Sequence, residues 1–142
     1  MSTDLSTAIP DAYQSMLTLS EQCDRAAAEA GIEPLTVELV RIRVSQLNGC
    51  AFCLRLHVRD ALHKGESTDR IAVLSAWRET AYFTDAEMAA LEIAEKITHI
   101  SGLAAEDSPA LTTQQAATLK WIAITMNAFN RIAITSHYKI GP

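Results

Sequence analysis

The sequence predicts an all-α fold, a small bundle of about six helices that forms one domain over residues 1–142. Apolar residues recur at spacings of three and four along most of the chain, which is the period of an amphipathic helix. The chain has no run of strict apolar-polar alternation and no Asn-Gly or Asp-Gly turn between β-branched segments, so strands are not expected. Prolines, capping boxes and glycines divide it into segments of helical length.

Proline and glycine delimit the first three predicted helices. The first covers residues 10 to about 30, because its proline suits a first helical turn and Gly31 suits the end. The second covers residues 34–48 and stops at an Asn-Gly pair. One apolar stripe runs along it, formed by Val37, Val40, Val44 and Leu47. The third runs from near Cys50 to residue 63 or 64, before Gly65.

Capping signals delimit the last three predicted helices. A short fourth helix is expected from its cap Ser67 through Trp77. The sequence T-D-A-E, residues 84–87, is a capping box that opens a fifth helix. The sequence T-T-Q-Q, residues 112–115, is a second capping box before a final helix over about residues 113–136.

The final helix is apolar on more than one side. Its large apolar residues are Trp121, Ile122, Ile124, Met126, Phe129, Ile132 and Ile134. Such a helix has to be covered by its own core or by another subunit. We therefore expect a homo-oligomer, since symmetric association is a common way to cover apolar surface.

The charge and composition of the chain indicate which classes of partner are not expected. The net charge of -5 repels phosphate backbones, so nucleic acid is not expected. The most apolar stretch contains Asn127, Asn130 and Arg131, which are costly in hydrocarbon, so we expect no membrane partner. The first residues lack a basic region followed by an apolar one, so a cytoplasmic location is expected. Three cysteines cannot complete a disulfide framework.

The segment N-G-C-A-F-C-L-R-L-H concentrates the reactive side chains. Cys50, Cys53 and His57 are spaced by three and four, so on a helix they lie along one face. Cys50 falls in the first turn of that helix, where free N–H groups favour a thiolate and predict a lowered thiol pKa. A thiol, a base and a second thiol that can resolve it are the components of thiol redox chemistry.

Two other interpretations of this segment stay open. The first is structural, with two buried cysteines that act as small apolar residues and a histidine whose polar atoms are satisfied. The second is a zinc site, which needs four ligands. The other candidates would be Cys23, His63, His99 and His137. No second Cys-x-x-Cys pair exists, and His63 faces away from His57 on a continuous helix, so zinc is disfavoured.

Glu38 is the only acidic residue between Glu33 and Asp60. If the second and third helices fold back on each other, its carboxylate could reach His57, fix the imidazole tautomer and raise its basicity. The alternative is a solvated charge that pairs with Arg41, three residues further along the helix.

These residues carry a family resemblance. The segment E-L-V-R-I-R-V-S-Q-L-N-G-C-A-F-C-L-R-L-H resembles the signature of the carboxymuconolactone decarboxylase family, in its alkylhydroperoxidase D-like branch. The matching positions are Glu38, Ser45, Asn48, Cys50, Cys53 and His57. Further similarity lies in the Trp-Arg and Phe-Thr-Asp-x-Glu elements of residues 76–98 and in M-N-A-F-N-R-I-A-I of the final helix.

The resemblance implies an all-α oligomer, often a trimer or hexamer, that acts as a peroxidase without a metal or organic cofactor. By this analogy Cys53 attacks a hydroperoxide and becomes a sulfenic acid, and Cys50 resolves it as a disulfide. His57, held by Glu38, relays protons. An external dithiol, a lipoyl-bearing or thioredoxin-like protein, then reduces the disulfide. Two alternative functions stay open: a disulfide reductase or redox relay that acts on protein or lipoyl partners, and a non-catalytic oligomer whose cysteine pair senses the redox state.

Two features separate this chain from the best-known peroxidase branch and from the decarboxylase branch of the family. The best-known peroxidase branch has a histidine between the cysteines, where this chain has Phe52. The decarboxylase branch usually lacks the cysteine pair, so lactone decarboxylation is not expected. Cys23 lies outside the motif and is expected to fill the core.

Overall fold

A computed structural model describes residues 3–142, and within this range the chain is helical with no strand. The all-α prediction is therefore confirmed. Met1 and Ser2, the first two residues of the predicted domain, lie outside the described residues, and the one-domain boundary stays a prediction. The helices are α1 Leu5–Ala8, α2 Pro10–Glu29, α3 Pro34–Asn48, α4 Ala51–His63, α5 Thr68–Ala72, a 3-10 helix Leu74–Glu79, α6 Asp85–His99 and α7 Thr113–Thr135.

The local signals in the sequence set most helix boundaries. Prolines occupy the first positions of α2 and α3. Both capping boxes are present, one between Thr84 and Glu87 and one between Thr112 and Gln115. Each box satisfies backbone N–H groups that have no partner within the helix.

The fourth predicted helix differs from expectation. It divides into α5 and the 3-10 helix, and the backbone at Ala76 is not helical. Leu74 and Trp77 are both buried in one apolar cluster with Leu39 and Phe83. Residues three apart lie directly above each other in a 3-10 helix, so this geometry turns both side chains inward. A short additional helix, α1, also precedes the first predicted one.

Helix α3 lies at the centre of the bundle. It packs against α4, α6 and α7, and nine of its fifteen residues are buried. Val40 and Val44 belong to one apolar cluster with α2, α6 and α7, whereas Leu39 and Ile42 belong to a second cluster with Trp77. Because α3 is covered on several sides, its charged residues are removed from water with it.

Helix α7 is buried on one side and open on the other. Its inner side contributes Leu119, Ile122 and Met126 to the core. Its outer side exposes 54% of Trp121 and 46% of Ile124. None of the helices in residues 3–142 combines the length and apolar character needed to cross a bilayer.

Candidate active site

The turn between α3 and α4 positions both cysteines of the Cys-x-x-Cys pair. Gly49 ends α3 in the left-handed conformation, with a φ of 66°. The Cys50 backbone N–H then donates to the Ser45 carbonyl over 3.0 Å. Cys50 caps α4, and its Sγ accepts a hydrogen bond from the Cys53 backbone N–H over 3.4 Å. The two side chains therefore meet across the first turn of α4.

Both thiols are free and shielded from water. Cys50 is 1% exposed and Cys53 is 5% exposed. Burial, together with the adjacent Cys50 thiol, raises the pKa of Cys53 to about 12. The helix terminus predicted a thiolate at Cys50, and that expectation stays a prediction; the thiol of Cys53, one turn further on, is held in its protonated form. Loss of hydration penalises the thiolate by more than the helix terminus stabilises it.

Glu38 and His57 lie in contact. The Oε2 atom of Glu38 is 3.0 Å from the Nδ1 atom of His57. The other carboxylate oxygen accepts hydrogen bonds from Lys64 over 2.9 Å and from Arg41 over 3.2 Å. Glu38 is 1% exposed, so the interpretation as a solvated charge is wrong, although the expected pair with Arg41 is present.

The charge on Glu38 determines the tautomer of His57. Burial alone would raise the pKa of Glu38, but the hydrogen bonds from His57 and Lys64 lower it to about 2. An ionised carboxylate only accepts hydrogen bonds, so Nδ1 of His57 carries the proton. In the neutral imidazole, Nε2 is then the atom that can accept a proton.

A cavity of about 290 Å³ adjoins these groups. Cys53 and His57 both line it, whereas Cys50 is not among its lining residues. Four aromatic rings contribute to its wall, those of Tyr13, Phe52, Phe129 and Tyr138. The Phe52 and Tyr138 rings meet edge to face with their centroids 5.1 Å apart. A small molecule with an apolar part therefore fits next to the thiol of Cys53.

The zinc interpretation finds no supporting geometry. Over residues 3–142, the one group of three closely spaced potential ligand atoms comes from Glu38, His57 and Asp60, without a cysteine. The Oε1 atom of Glu38 already accepts hydrogen bonds from Arg41 and Lys64, and its Oε2 atom contacts His57. His63 instead contacts the Arg59 carbonyl. The other residues considered for zinc, Cys23, His99 and His137, do not join the group.

The sequence did not predict the contacts of two residues around the site, Lys64 and Asn130. Lys64 contacts Glu38 because α4 ends beside α3, and no spacing rule predicts that contact. Asn130 hydrogen-bonds to Ser45, 85 residues away in the chain. The motif shared by the final helices of the family contained Asn130, but gave it no role.

The structure is therefore that of an all-α protein in which one cysteine of a Cys-x-x-Cys pair lines a cavity of about 290 Å³. The chain belongs to the carboxymuconolactone decarboxylase family, whose pattern matches residues 10–96. The resemblance predicted from the sequence is thereby confirmed.

The chain is similar to both uncharacterised and named proteins. It is 38% identical over 117 residues to the uncharacterised protein YdfG of Bacillus subtilis, covering 78% of this chain and 80% of YdfG. It is 35% identical over 63 residues to alkyl hydroperoxide reductase AhpD of Rhodospirillum centenum, covering 42% of this chain and 34% of that protein.

A solved structure extends the similarity to the whole fold. It is a crystal structure of a protein of unknown function from Agrobacterium tumefaciens, provisionally described as an antioxidant defence protein AhpD. It superposes with a TM-score of 0.84 at 26% identity, covering 99% of this chain and 97% of the other.

Proposed function

We propose that this protein is a thiol-dependent peroxidase that reduces alkyl hydroperoxides. One observation carries the proposal: Cys53 and His57 line the same cavity while Cys50 and Glu38 back them from the protein side. The similarity to a relative named alkyl hydroperoxide reductase adds support. The aromatic wall of the cavity favours an organic hydroperoxide over a fully polar one.

The first step of the proposed cycle depends on His57. Its Nε2 accepts the proton of Cys53, because a thiol with a pKa of about 12 is almost entirely protonated at neutral pH. The Cys53 sulfur attacks the terminal oxygen of the hydroperoxide, and the O–O bond breaks. The departing alkoxide takes the proton from His57 and leaves as the alcohol. Cys53 is oxidised to the sulfenic acid by two electrons.

Cys50 completes the oxidative half of the cycle. Its sulfur attacks the sulfur of the Cys53 sulfenic acid, and the thiol proton leaves with the hydroxyl group as water. The product is a Cys50–Cys53 disulfide. An external dithiol, lipoyl-bearing or thioredoxin-like, reduces this disulfide by exchange and is itself oxidised. None of the three steps, oxidation of Cys53, formation of the disulfide and its reduction, requires a metal or an organic cofactor.

Steady consumption of an organic hydroperoxide in the presence of a dithiol tests the proposal. We expect Cys53→Ser to abolish turnover, since a hydroxyl cannot form the sulfenic acid or the disulfide. Cys23→Ser is the matched control, because Cys23 is a buried cysteine whose sulfur contacts Thr125. We expect it to retain activity. Peroxide consumption unaffected by Cys53→Ser would refute the proposal.

A second experiment distinguishes a disulfide reductase from a peroxidase. Oxidised lipoamide and a peroxide are offered separately to the reduced protein. A peroxidase consumes the peroxide and forms the Cys50–Cys53 disulfide without any disulfide substrate. Reduction of lipoamide without peroxide consumption would contradict the proposal.

A further inference from the structure

A series of side-chain amides connects α7 with the turn that carries the cysteines. Asn48, near the end of α3, donates through Nδ2 to Oδ1 of Asn127 over 2.9 Å and to Oδ1 of Asn130 over 3.0 Å. Asn130 in turn donates through its own Nδ2 to the Ser45 hydroxyl over 3.1 Å. The series ends beside the cysteine pair, because the Ser45 carbonyl accepts the Cys50 N–H.

The hydrogen-bond partners of Asn127 allow only one orientation of its side-chain amide. The Nδ2 of Asn127 donates to the Ala123 carbonyl, which can only accept. Its Oδ1 accepts from the Arg131 guanidinium, which can only donate. Rotating the Asn127 amide by half a turn would place its Oδ1 against the Ala123 carbonyl, which is also an acceptor. Its Nδ2 would then meet the Arg131 guanidinium, which is also a donor.

The orientation of the Asn127 amide determines the orientation of the Asn130 amide through Asn48. Because Asn127 presents oxygen to Asn48, Asn48 must present its Nδ2 there, and the same Nδ2 meets Asn130. Asn130 must then present Oδ1 to Asn48. Its Nδ2 is left on the opposite side, where it contacts the Ser45 hydroxyl and, over 3.6 Å, the sulfur of Met126.

The donor side of Asn130 faces the sulfur of Met126, a residue that shares a cavity with Cys53. Asn130 is completely buried, and Met126 and Cys53 line the same cavity. Burial raises the pKa of the Cys53 thiol, and the Asn130 side chain acts against burial by lowering it. A buried N–H next to a sulfur that becomes negative stabilises that charge without reorganisation.

We propose that Asn130 is a catalytic residue whose side-chain N–H donates to the Cys53 sulfur as the thiolate forms, and that Asn48 and Asn127 position it for this role. The catalytic consequence rests on the peroxidase function proposed above. His57 takes the proton, and Asn130 stabilises the charge left on sulfur. An amide in the reverse orientation would present oxygen to the thiolate and repel it.

Alkylation of Cys53 tests the hydrogen bond without any peroxide. Cys23→Ser and Cys50→Ser together leave Cys53 as the sole thiol, and iodoacetamide reacts with its thiolate. In this background Asn130→Leu removes the donor at similar volume. A hydrogen bond to a charged group is worth about tenfold or more in an equilibrium. We expect alkylation at pH 8 to slow by about tenfold and the rate profile to move about one pH unit upward.

Thr118→Val is the matched control, since Thr118 is a buried polar residue of α7 that bonds only to the Gln114 carbonyl. We expect it to leave the alkylation profile unchanged. Circular dichroism establishes that each variant is folded. If Asn130→Leu does not fold, Asn48→Ser is used, which keeps Asn130 and removes the donor that orients it. We expect a smaller shift in the same direction.

An unchanged profile in a folded Asn130→Leu variant, or an equal shift in Thr118→Val, overturns the proposal. In the otherwise native protein, we expect Asn130→Leu to lower kcat/KM for the hydroperoxide by about tenfold as well. Absence of peroxide turnover in the native chain, with the alkylation shift present, would overturn the peroxidase function and support the hydrogen bond to Cys53.

Discussion

Glu38 carries an ionised carboxylate at a buried position, in contact with three cationic or proton-donating side chains. Its partners are His57, Lys64 and Arg41, and Arg41 also binds Asp24 at the surface over 2.6 Å. A buried carboxylate is tolerated only when its charge is compensated in this way. The same compensation keeps Nδ1 of His57 protonated and leaves Nε2 as the atom that can accept a proton.

Acid titration tests the charge on Glu38. Its pKa of about 2 in the folded chain lies below the ordinary value of 4.5. The stabilisation is therefore complete above about pH 4.5 and is lost as the pH falls through 2, because protonation then favours the unfolded chain. We expect this group to contribute roughly 3 kcal/mol of that pH dependence. Urea unfolding at a series of pH values measures it.

The variant Glu38→Gln removes the titrating group, and its unfolding free energy should decline less steeply between pH 4.5 and 2 than that of the native chain. Glu21→Gln changes an exposed acid on α2 and serves as the control, with the native decline expected. An equally steep decline in Glu38→Gln would contradict the ionised, compensated carboxylate.

Among the elements, the junction of α3 and α4 has the greatest influence on the site. It turns the chain so that the buried face of α3 and the start of α4 adjoin, which brings Glu38 against His57 and sets Cys50 as the cap of α4. The turn depends on Gly49, whose φ of 66° lies in the region that side chains with a Cβ rarely adopt. A Cβ placed on Gly49 would meet no atom within 4 Å.

Substitution of Gly49 separates backbone strain from crowding. Because there is space for a methyl group, the cost of Gly49→Ala comes from the left-handed conformation alone, and we expect about 1 kcal/mol of lost unfolding free energy. Gly49→Asn should cost less, since asparagine adopts this conformation more readily. Gly141→Ala, also in open space, is the control. Chemical denaturation measures all three, and a neutral Gly49→Ala would refute the strain argument.

At the scale of the whole molecule, the outer side of α7 stays uncovered by the rest of the chain. Trp121 and Ile124 are three residues apart and so lie on one exposed face of the helix. Exposed apolar surface of this kind is typical of subunit interfaces. The homo-oligomer predicted from the sequence stays a prediction, and this face is where we expect the contact.

Light scattering coupled to size exclusion tests the assembly. We expect the native chain to elute as a trimer or hexamer and Trp121→Glu to shift toward smaller species, because burying an unpaired carboxylate at an interface is strongly unfavourable. Ile100→Glu changes an exposed apolar residue just beyond α6 and should leave the mass unchanged. A native monomer, or an unchanged mass for Trp121→Glu, would contradict this prediction.

The sequence by itself determined the helical class, the capping boxes at Thr84 and Thr112, and the alignment of Cys50, Cys53 and His57 on one helical face. These features depend on hydrogen bonds and side-chain spacings within one or two turns, so neighbouring residues suffice to predict them. The family resemblance added Glu38 to the candidate site, where helical spacing alone favoured its pairing with Arg41.

Only the tertiary structure decided how far these groups are removed from water. The central position of α3 buried Glu38 and brought Lys64 and His57 to it, and the packing of α7 placed Asn130 against Ser45. Burial also raised the pKa of Cys53, which the spacing of the cysteines does not predict. The reason is physical: hydration and the effective dielectric at a residue depend on helices far away in the chain, which no local pattern contains.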